Sequence, residues 1–157
     1  GYSVFDLQAI SANLEREIAA LPSPYRELVR PYFIEQFFLR YSCIMALREQ
    51  GVFAKMREPV KDRALFRDYC RIAAGFRPED EGFSWNEPFH RHFYYVVSAF
   101  FMFVLDEPGH PVGMPFPGGF KVNKREDGFY YCPIRDKEKD VVYSICNFCP
   151  AKQDVVP

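Results

Sequence analysis

The chain has 157 residues, a length typical of one domain with a single hydrophobic core. Phe and Tyr make up most of an 18% aromatic share, so large rings are expected to dominate that core. The net charge is −1, with 20 basic and 21 acidic residues, which argues against general electrostatic binding to nucleic acid or to an anionic membrane. We expect one domain over 1–157, made of helices at 3–106 and an irregular tail at 107–157 packed on them.

The first predicted helix follows Ser3. Ser3 is suited to cap its N-terminus, and Asp6, three residues later, is placed as the acidic partner in a capping box. Apolar residues then recur at steps of three and four, which predicts one buried stripe: Leu7, Ile10, Leu14, Ile18 and Leu21.

The second predicted helix begins at 22–24, where Pro-Ser-Pro ends the first helix and offers Ser23 as a cap. It runs towards Gln50, and Gly51 is placed as its C-terminal stop. Pro31 interrupts it early, so a short helix followed by a kink is as consistent with the sequence as one straight rod. The residues expected to face inward are Leu28, Tyr32, Phe37, Tyr41, Ile44 and Leu47.

Two further helices are predicted before the tail. Pro59 opens the third, which stops at Gly75, and 76–85 follows as an acidic loop. The third helix carries three core candidates: Leu65, Tyr69 and Ile72. Asn86 caps the fourth, whose residues 93–105 are apolar almost all round. A membrane span needs about 20 such residues, so this shorter, tyrosine-rich run indicates a buried central helix.

The tail begins with an irregular loop. Residues 107–119 contain four prolines and four glycines, a composition that excludes helix and central strand. Short β-prone runs at 120–123 and 129–132, joined through Asp127-Gly128, predict a hairpin, and 135–140 is a solvated charged segment. The predicted fold is mainly α. It is a bundle of about four helices around a buried aromatic helix, with a C-terminal Pro/Gly loop, a short β-hairpin and a cysteine knuckle.

The tail also carries a candidate metal site. Cys146 and Cys149 are separated by two residues, a spacing that lets both thiolates point into one concavity. Cys132, on the predicted hairpin, is the natural third ligand, and His110 on the Pro/Gly loop supplies a fourth. Sulfur and imidazole together suit tetrahedral zinc. The sequence therefore predicts a Cys3His zinc site.

Other interpretations of these cysteines stay open. Two of them could form a disulfide, or all three could be reduced residues that fill the core. Redox chemistry at Cys146 and Cys149 is weakened by Pro150, which disfavours helical geometry at Cys149. Three thiolates could also hold an iron–sulfur cluster, although their spacing matches no familiar run. Glu107 and Asp106 would be poorer zinc ligands than His110.

Several other residues are better explained by structure than by chemistry. His90 and His92 lie two residues apart on one helix and therefore point to different faces. Ser98, inside the apolar helix, is most simply a small packing residue. Gly113 and the pair 118–119 lack the spacing of a phosphate-binding loop.

The cysteine content favours an intracellular, soluble protein. Five cysteines are an odd number, and two of them, Cys43 and Cys70, fall inside helical patterns, unlike a secreted disulfide framework. The first residues predict an amphipathic helix and not a signal peptide, although the chain begins Gly-Tyr without methionine.

Three segments resemble an uncharacterised archaeal family found mainly in methanogens, domain of unknown function 2115. They are LDEPGHPVGMPFPGGFKV at 105–122, YYCP at 130–133 and CNFCPAKQ at 146–153, whereas the helices agree mainly in length and pattern. All four candidate ligands lie in these segments: His110, Cys132, Cys146 and Cys149. The resemblance implies a cytoplasmic protein of anaerobic archaea and brings no activity or catalytic residue. An anaerobic cytosol favours free thiols or thiolate–metal bonds.

Three functional hypotheses follow. The first is a binding or assembly module, with an unidentified protein or small-molecule partner, stapled by a structural zinc ion. The second is an enzyme, in which the Pro/Gly loop lines a pocket against the helix at 86–105. In one version three protein ligands hold the metal, a water occupies its open position and Glu107 acts as a base; in the other, Cys146 and Cys149 cycle between dithiol and disulfide. The third is a partner-binding bundle with inert cysteines, which exposed aromatic surface on Tyr130, Tyr131 and Phe148 would favour.

Overall fold

The computed structural model describes residues 2–57, 60–75 and 88–155, without the side chains of 37 and 88–90. The described chain is mainly helical, as predicted, with a small three-stranded sheet. The helices are α1 (Val4–Ala19), α2 (Tyr25–Pro31), α3 (Phe37–Glu49), α4 (Val52–Lys55), α5 (Arg63–Gly75) and α6 (Pro88–Phe103). The strands are β1 (Asn123–Lys124), β2 (Tyr130–Cys132) and β3 (Lys152–Gln153), and short 3₁₀ helices span Arg135–Glu138 and Ile145–Phe148.

Helix α1 confirms the predicted cap and stripe. The Ser3 hydroxyl accepts a hydrogen bond from the Asp6 backbone N–H at 3.2 Å, and the Ser3 N–H donates to the Asp6 carboxylate at 2.7 Å. Together they form the reciprocal capping box. Three stripe residues are buried: Ile10, Leu14 and Ile18.

The helix predicted up to Gln50 changes to a π-helical turn after Pro31. Helix α2 ends there, one wide π-helical turn covers Tyr32–Gln36, and α3 continues to Glu49. Ser23 was predicted to cap α2, but the capping position is Pro24, which makes no side-chain capping bond. Proline has no side-chain acceptor, so the first N–H groups of α2 receive no side-chain cap from it.

The predicted inward face of this segment was wrong at Leu28, which is 58% exposed. Leu28 lies in α2, before the π turn, on the side of that helix that faces away from the core. Helix α2 buries Val29 instead. Tyr32, Tyr41 and Ile44 do pack against the core, and Phe37 falls among the side chains that are not described.

Helix α5 begins later than predicted. It starts at Arg63, where the Asp62 carboxylate accepts the Leu65 backbone N–H at 2.9 Å and so caps the first turn. Pro59, the predicted start, lies outside the described residues. Tyr69 is buried as expected, and the described part of the helix extends to Gly75.

Helix α6 contributes residues to both buried clusters of the core. Phe93 and Val97 belong to a cluster with α1, whereas Tyr95 and Met102 belong to a larger one that includes the C-terminal segment. The helix contacts α1, α3 and α5, which confirms its burial, although Val96 is 44% exposed. The predicted loop at 76–85 and the Asn86 cap lie outside the described residues. Among the described helices, none is long and apolar enough to cross a membrane.

The predicted hairpin is present but shorter. β1 pairs antiparallel with β2, with Asn123 opposite Tyr131, and the turn between them includes Gly128 at φ +81°. A third strand, β3, pairs parallel with β2 and was not predicted. Two polar residues give no alternation by which a strand could be recognised.

A pair of glycine substitutions separates backbone strain from steric clash. Gly113 and Gly128 both have positive φ, at +89° and +81°, but a Cβ on Gly113 would lie 2.8 Å from the Tyr32 hydroxyl, whereas one on Gly128 meets nothing within 4 Å. We expect Gly128→Ala to lower the free energy of unfolding by about 1–2 kcal/mol, because alanine is strained at positive φ. Gly113→Ala should lower it by about 1–3 kcal/mol more than that, because its Cβ also clashes with Tyr32. Urea unfolding midpoints measure both, and equal losses would contradict the packing of Tyr32 against this loop.

Candidate functional site

The Pro/Gly loop is held by a buried arginine. Arg40 on α3 is 8% exposed and donates to the Gly109 carbonyl at 2.6 Å and to the Pro108 carbonyl at 3.1 Å. Its guanidinium also lies 4.2 Å from the centre of the Phe101 ring, a cation–π distance. The sequence did not reveal this contact, because an arginine on an amphipathic helix normally indicates a solvated face.

The loop also orders itself through its own backbone. The Gly113 N–H donates to the Val122 carbonyl at 2.7 Å, and the Phe116 N–H donates to the Phe120 carbonyl at 2.7 Å. Met114, Phe116 and Val122 are buried in the larger core cluster. The loop is therefore ordered by its own backbone hydrogen bonds and by burial in the core.

Cys132 ends β2 in a buried position. The backbone N–H groups of Ile134 and Arg135 donate to its sulfur, which lowers the pKa of the thiol, but burial has the larger effect and raises that pKa overall. Two N–H donors on one sulfur would stabilise a thiolate there.

Cys146 and Cys149 belong to the 3₁₀ turn at Ile145–Phe148 and its end. Burial raises the pKa of the Cys146 thiol to about 12. Burial also raises the pKa of Cys149, although its sulfur accepts the backbone N–H groups of Ala151 and Gly109. Gly109 thus donates to Cys149 and accepts from Arg40.

The third strand brings the two cysteine segments together. β3 follows Cys149 directly and lies beside β2, with Gln153 opposite Cys132, while the Asp154 N–H donates to the Cys132 carbonyl at 3.0 Å. Cys132 and Cys149 belong to one buried cluster. A negative charge on Cys149 raises the pKa of Cys132 and of Cys146, so the three thiols share one electrostatic environment.

His110 is half-buried and lies on the loop side of this region. Its Nε2 is 3.3 Å from the Tyr94 hydroxyl, and its ring packs edge-on against Phe116 at a centroid distance of 5.8 Å. Burial, with the positive charge of Arg40, lowers the pKa of His110 to about 4. The imidazole is therefore neutral at pH 7, the form that binds metals.

Within the described ranges, no three His, Cys, Asp or Glu side chains are grouped closely enough to hold a metal ion. The predicted ligands are thus brought to one region without being set at ligand distances. All five cysteines are free thiols, and Cys43 and Cys70 are exposed on their helices. Of the poorer ligand candidates, Asp106 forms an ion pair with Lys61 at 2.6 Å.

The remaining candidates have structural positions. Ser98 is fully buried, as expected of a packing residue, and His92 is exposed. Phe148 is only 9% exposed and packs edge-on against Tyr69, so it offers little surface to a partner. Tyr130 and Tyr131 are half-buried.

A cleft of about 480 Å³ lies beside the cysteines. Its walls come from 56–57 and 60–62, from α5 and α6, and from the C-terminal segment at 147–150, including Cys149. The enzyme hypothesis expected a pocket against α6 lined by the Pro/Gly loop. The pocket is against α6, but its described lining contains no residue of 107–119.

Comparison with known proteins identifies the family. Residues 1–154 match the family described as "Uncharacterized protein conserved in archaea (DUF2115)". The chain belongs to this family. The resemblance seen in the three C-terminal segments is confirmed, and the match extends through the helical region as well.

The DUF2115 relatives come from methanogens. A UPF0305 protein of Methanopyrus kandleri is 37% identical over 133 residues, which cover 85% of this chain and 87% of the relative. A UPF0305 protein of Methanocaldococcus jannaschii is 26% identical over 96% of this chain and 87% of its own. One of Methanothermobacter thermautotrophicus is 49% identical over 55 residues, 35% of each chain. No solved structure matches this chain.

The Arg40 anchor is testable by a conservative change. Arg40→Lys keeps the charge but cannot reproduce a fork that reaches two carbonyls, so we expect a loss of about 2 kcal/mol in the free energy of unfolding. The matched control is Arg48→Lys, which changes an exposed arginine of the same helix and should shift stability by no more than about 0.5 kcal/mol. Denaturant unfolding measures both, and equal effects would show that the buried contacts contribute nothing.

Proposed function

We propose that this DUF2115 protein is a binding or assembly module whose C-terminal segment is stapled by one zinc ion. Cys132, Cys146 and Cys149 are the thiolate ligands, and neutral His110 is the fourth. The observation that supports this most is the presence of three free, buried thiols in one environment, although they come from two separate segments of the chain. Four protein ligands form the closed set typical of structural zinc.

The polar groups around the sulfurs suit thiolates better than thiols. Backbone N–H groups donate to Cys132 and Cys149, and such donors stabilise the charged form of sulfur. The buried Arg40 adds a cation close enough to lower the pKa of Cys149. A divalent ion on three thiolates and one imidazole carries a net charge of −1, which the guanidinium would balance within the protein.

Zinc binding requires the ligands to move together from their positions in the structure. Cys146 and Cys149 belong to one short turn, and His110 either exchanges its contact with Tyr94 for the metal or uses its other ring nitrogen. Such movement is expected, because a metal site and its fold commonly form together.

The thiol-enzyme alternative has less support. A nucleophilic or redox-active cysteine needs a lowered pKa, whereas burial raises the pKa of Cys146 to about 12. The 3₁₀ helix that contains Cys146 has only four residues and ends at Cys149, where the backbone is extended with φ −72° and ψ 133°, so it is not followed by a longer helix that could stabilise a thiolate.

Metal analysis tests the proposal directly. Protein purified without oxygen or chelator should contain about one equivalent of zinc. Cys132→Ser, Cys146→Ser and Cys149→Ser should each lose most of it, because serine is a poor zinc ligand. Cys43→Ser and Cys70→Ser are the matched controls, since both cysteines are exposed, and should keep the metal.

The outcome also separates the alternatives. A zinc content below about half an equivalent in the unaltered chain contradicts the zinc staple. If the analysis finds iron and acid-labile sulfide in place of zinc, the cysteines hold an iron–sulfur cluster. A structural ion should raise the urea midpoint of the unaltered chain relative to chelator-treated protein, whereas an ion that leaves this midpoint unchanged is not a staple.

A further inference from the structure

The cleft beside Cys149 has an apolar floor. Phe103 of α6 and Phe148 of the C-terminal turn both line it. Tyr69, which is buried behind them, packs edge-on against Phe103 at 5.3 Å and against Phe148 at 5.2 Å. One buried ring therefore packs against both aromatic residues of the floor. Leu65 and Met102 complete an apolar surface suited to a flat or ring-shaped body.

The charged residues of the lining are unequal in sign. The cations are Arg57, Lys61 and Arg135, and the carboxylates are Asp62 and Asp106. Both carboxylates have partners, because Asp106 pairs with Lys61 at 2.6 Å and Asp62 accepts the Leu65 N–H at 2.9 Å. The excess charge of the lining is therefore positive.

The excess is one charge, and two arginines of the lining, Arg57 and Arg135, differ in how they are paired. Arg57 has no carboxylate partner among the residues that the structure describes. Arg135 pairs through Nη1 with Asp136 at 2.7 Å, while its Nε is buried without a hydrogen-bond partner in the described part of the chain. The Arg135 side chain as a whole is 31% exposed, so a ligand in the cleft would contact its accessible part and not the buried Nε.

We propose that the cleft binds a small organic anion, with an aromatic or similarly flat apolar body against Phe103 and Phe148 and a carboxylate near Arg57 and Arg135. A guanidinium is suited to a carboxylate because its planar donors match the two oxygens. This site does not depend on the zinc proposal, because its floor and its charges are supplied by side chains that are not metal ligands.

Three probes that share a naphthalene ring and differ in charge test whether the cleft prefers an anion. Calorimetry compares 2-naphthoate, neutral 2-naphthalenemethanol and cationic 2-naphthylmethylammonium on the full chain under reducing conditions. We expect 2-naphthoate to bind at least tenfold more tightly than either of the others, the size of a single ion-assisted contact. Arg57→Gln should weaken 2-naphthoate about tenfold and leave the neutral probe unchanged.

The control is Arg48→Gln, an exposed arginine outside the cleft lining, which should bind 2-naphthoate as the unaltered chain does. Arg135→Gln provides a second test near the floor, and its urea midpoint shows whether the fold is kept. Equal affinity for all three probes, no saturable binding into the millimolar range, or a 2-naphthoate affinity unaffected by both cleft substitutions overturns the proposal. The zinc content is measured on the same samples. If the unaltered chain binds 2-naphthoate but contains no zinc, only the zinc proposal is refuted.

Discussion

The tail of this protein depends on a buried guanidinium. A loop rich in proline has many carbonyl groups but few N–H donors, so its acceptors must be satisfied from elsewhere. Arg40 supplies two donors to adjacent carbonyls and lies against Phe101, so that α3, α6 and the loop meet at one side chain. Gly109 extends this junction, because its N–H donates to the sulfur of Cys149. Gly109 thus links Arg40 of the helical region to Cys149 in the C-terminal segment.

Helix α6 determines where the candidate sites lie. One side packs on α1 and α3, and the other supports α5 and the C-terminal turn. The cysteines therefore enter the core on the same side as the cleft, and Cys149 belongs to both. The zinc and the cleft proposals rest on different atoms, thiols in one case and arginines with aromatic rings in the other. Their proximity gives a physical reason why order in the tail and ligand binding could be coupled.

The functional distinction between staple and enzyme is electrostatic. Buried, protonated thiols do not act as nucleophiles at neutral pH, but they become ligands when a cation replaces their protons. The surroundings of Cys132 and Cys149 provide N–H donors, and Arg40 provides a compensating charge. These features favour a bound cation over redox chemistry, and they depend on contacts that a spacing pattern cannot reveal.

Structural features that depend on residues close together in the chain could be predicted from the sequence. Four such features depend on residues a few positions apart: the capping box at Ser3, the stripe of α1, the burial of α6 and the hairpin. The exposure of Leu28 was not predicted, since a short apolar pattern does not show which of two neighbouring residues of α2 faces the core. Arg40 and Gly109 are 69 residues apart, and β3 exists only because β2 lies beside it. Local propensity and periodicity therefore determined the helices. Only the tertiary structure decided which distant polar groups meet, because a buried polar group needs a hydrogen-bond partner and here that partner comes from a distant part of the chain.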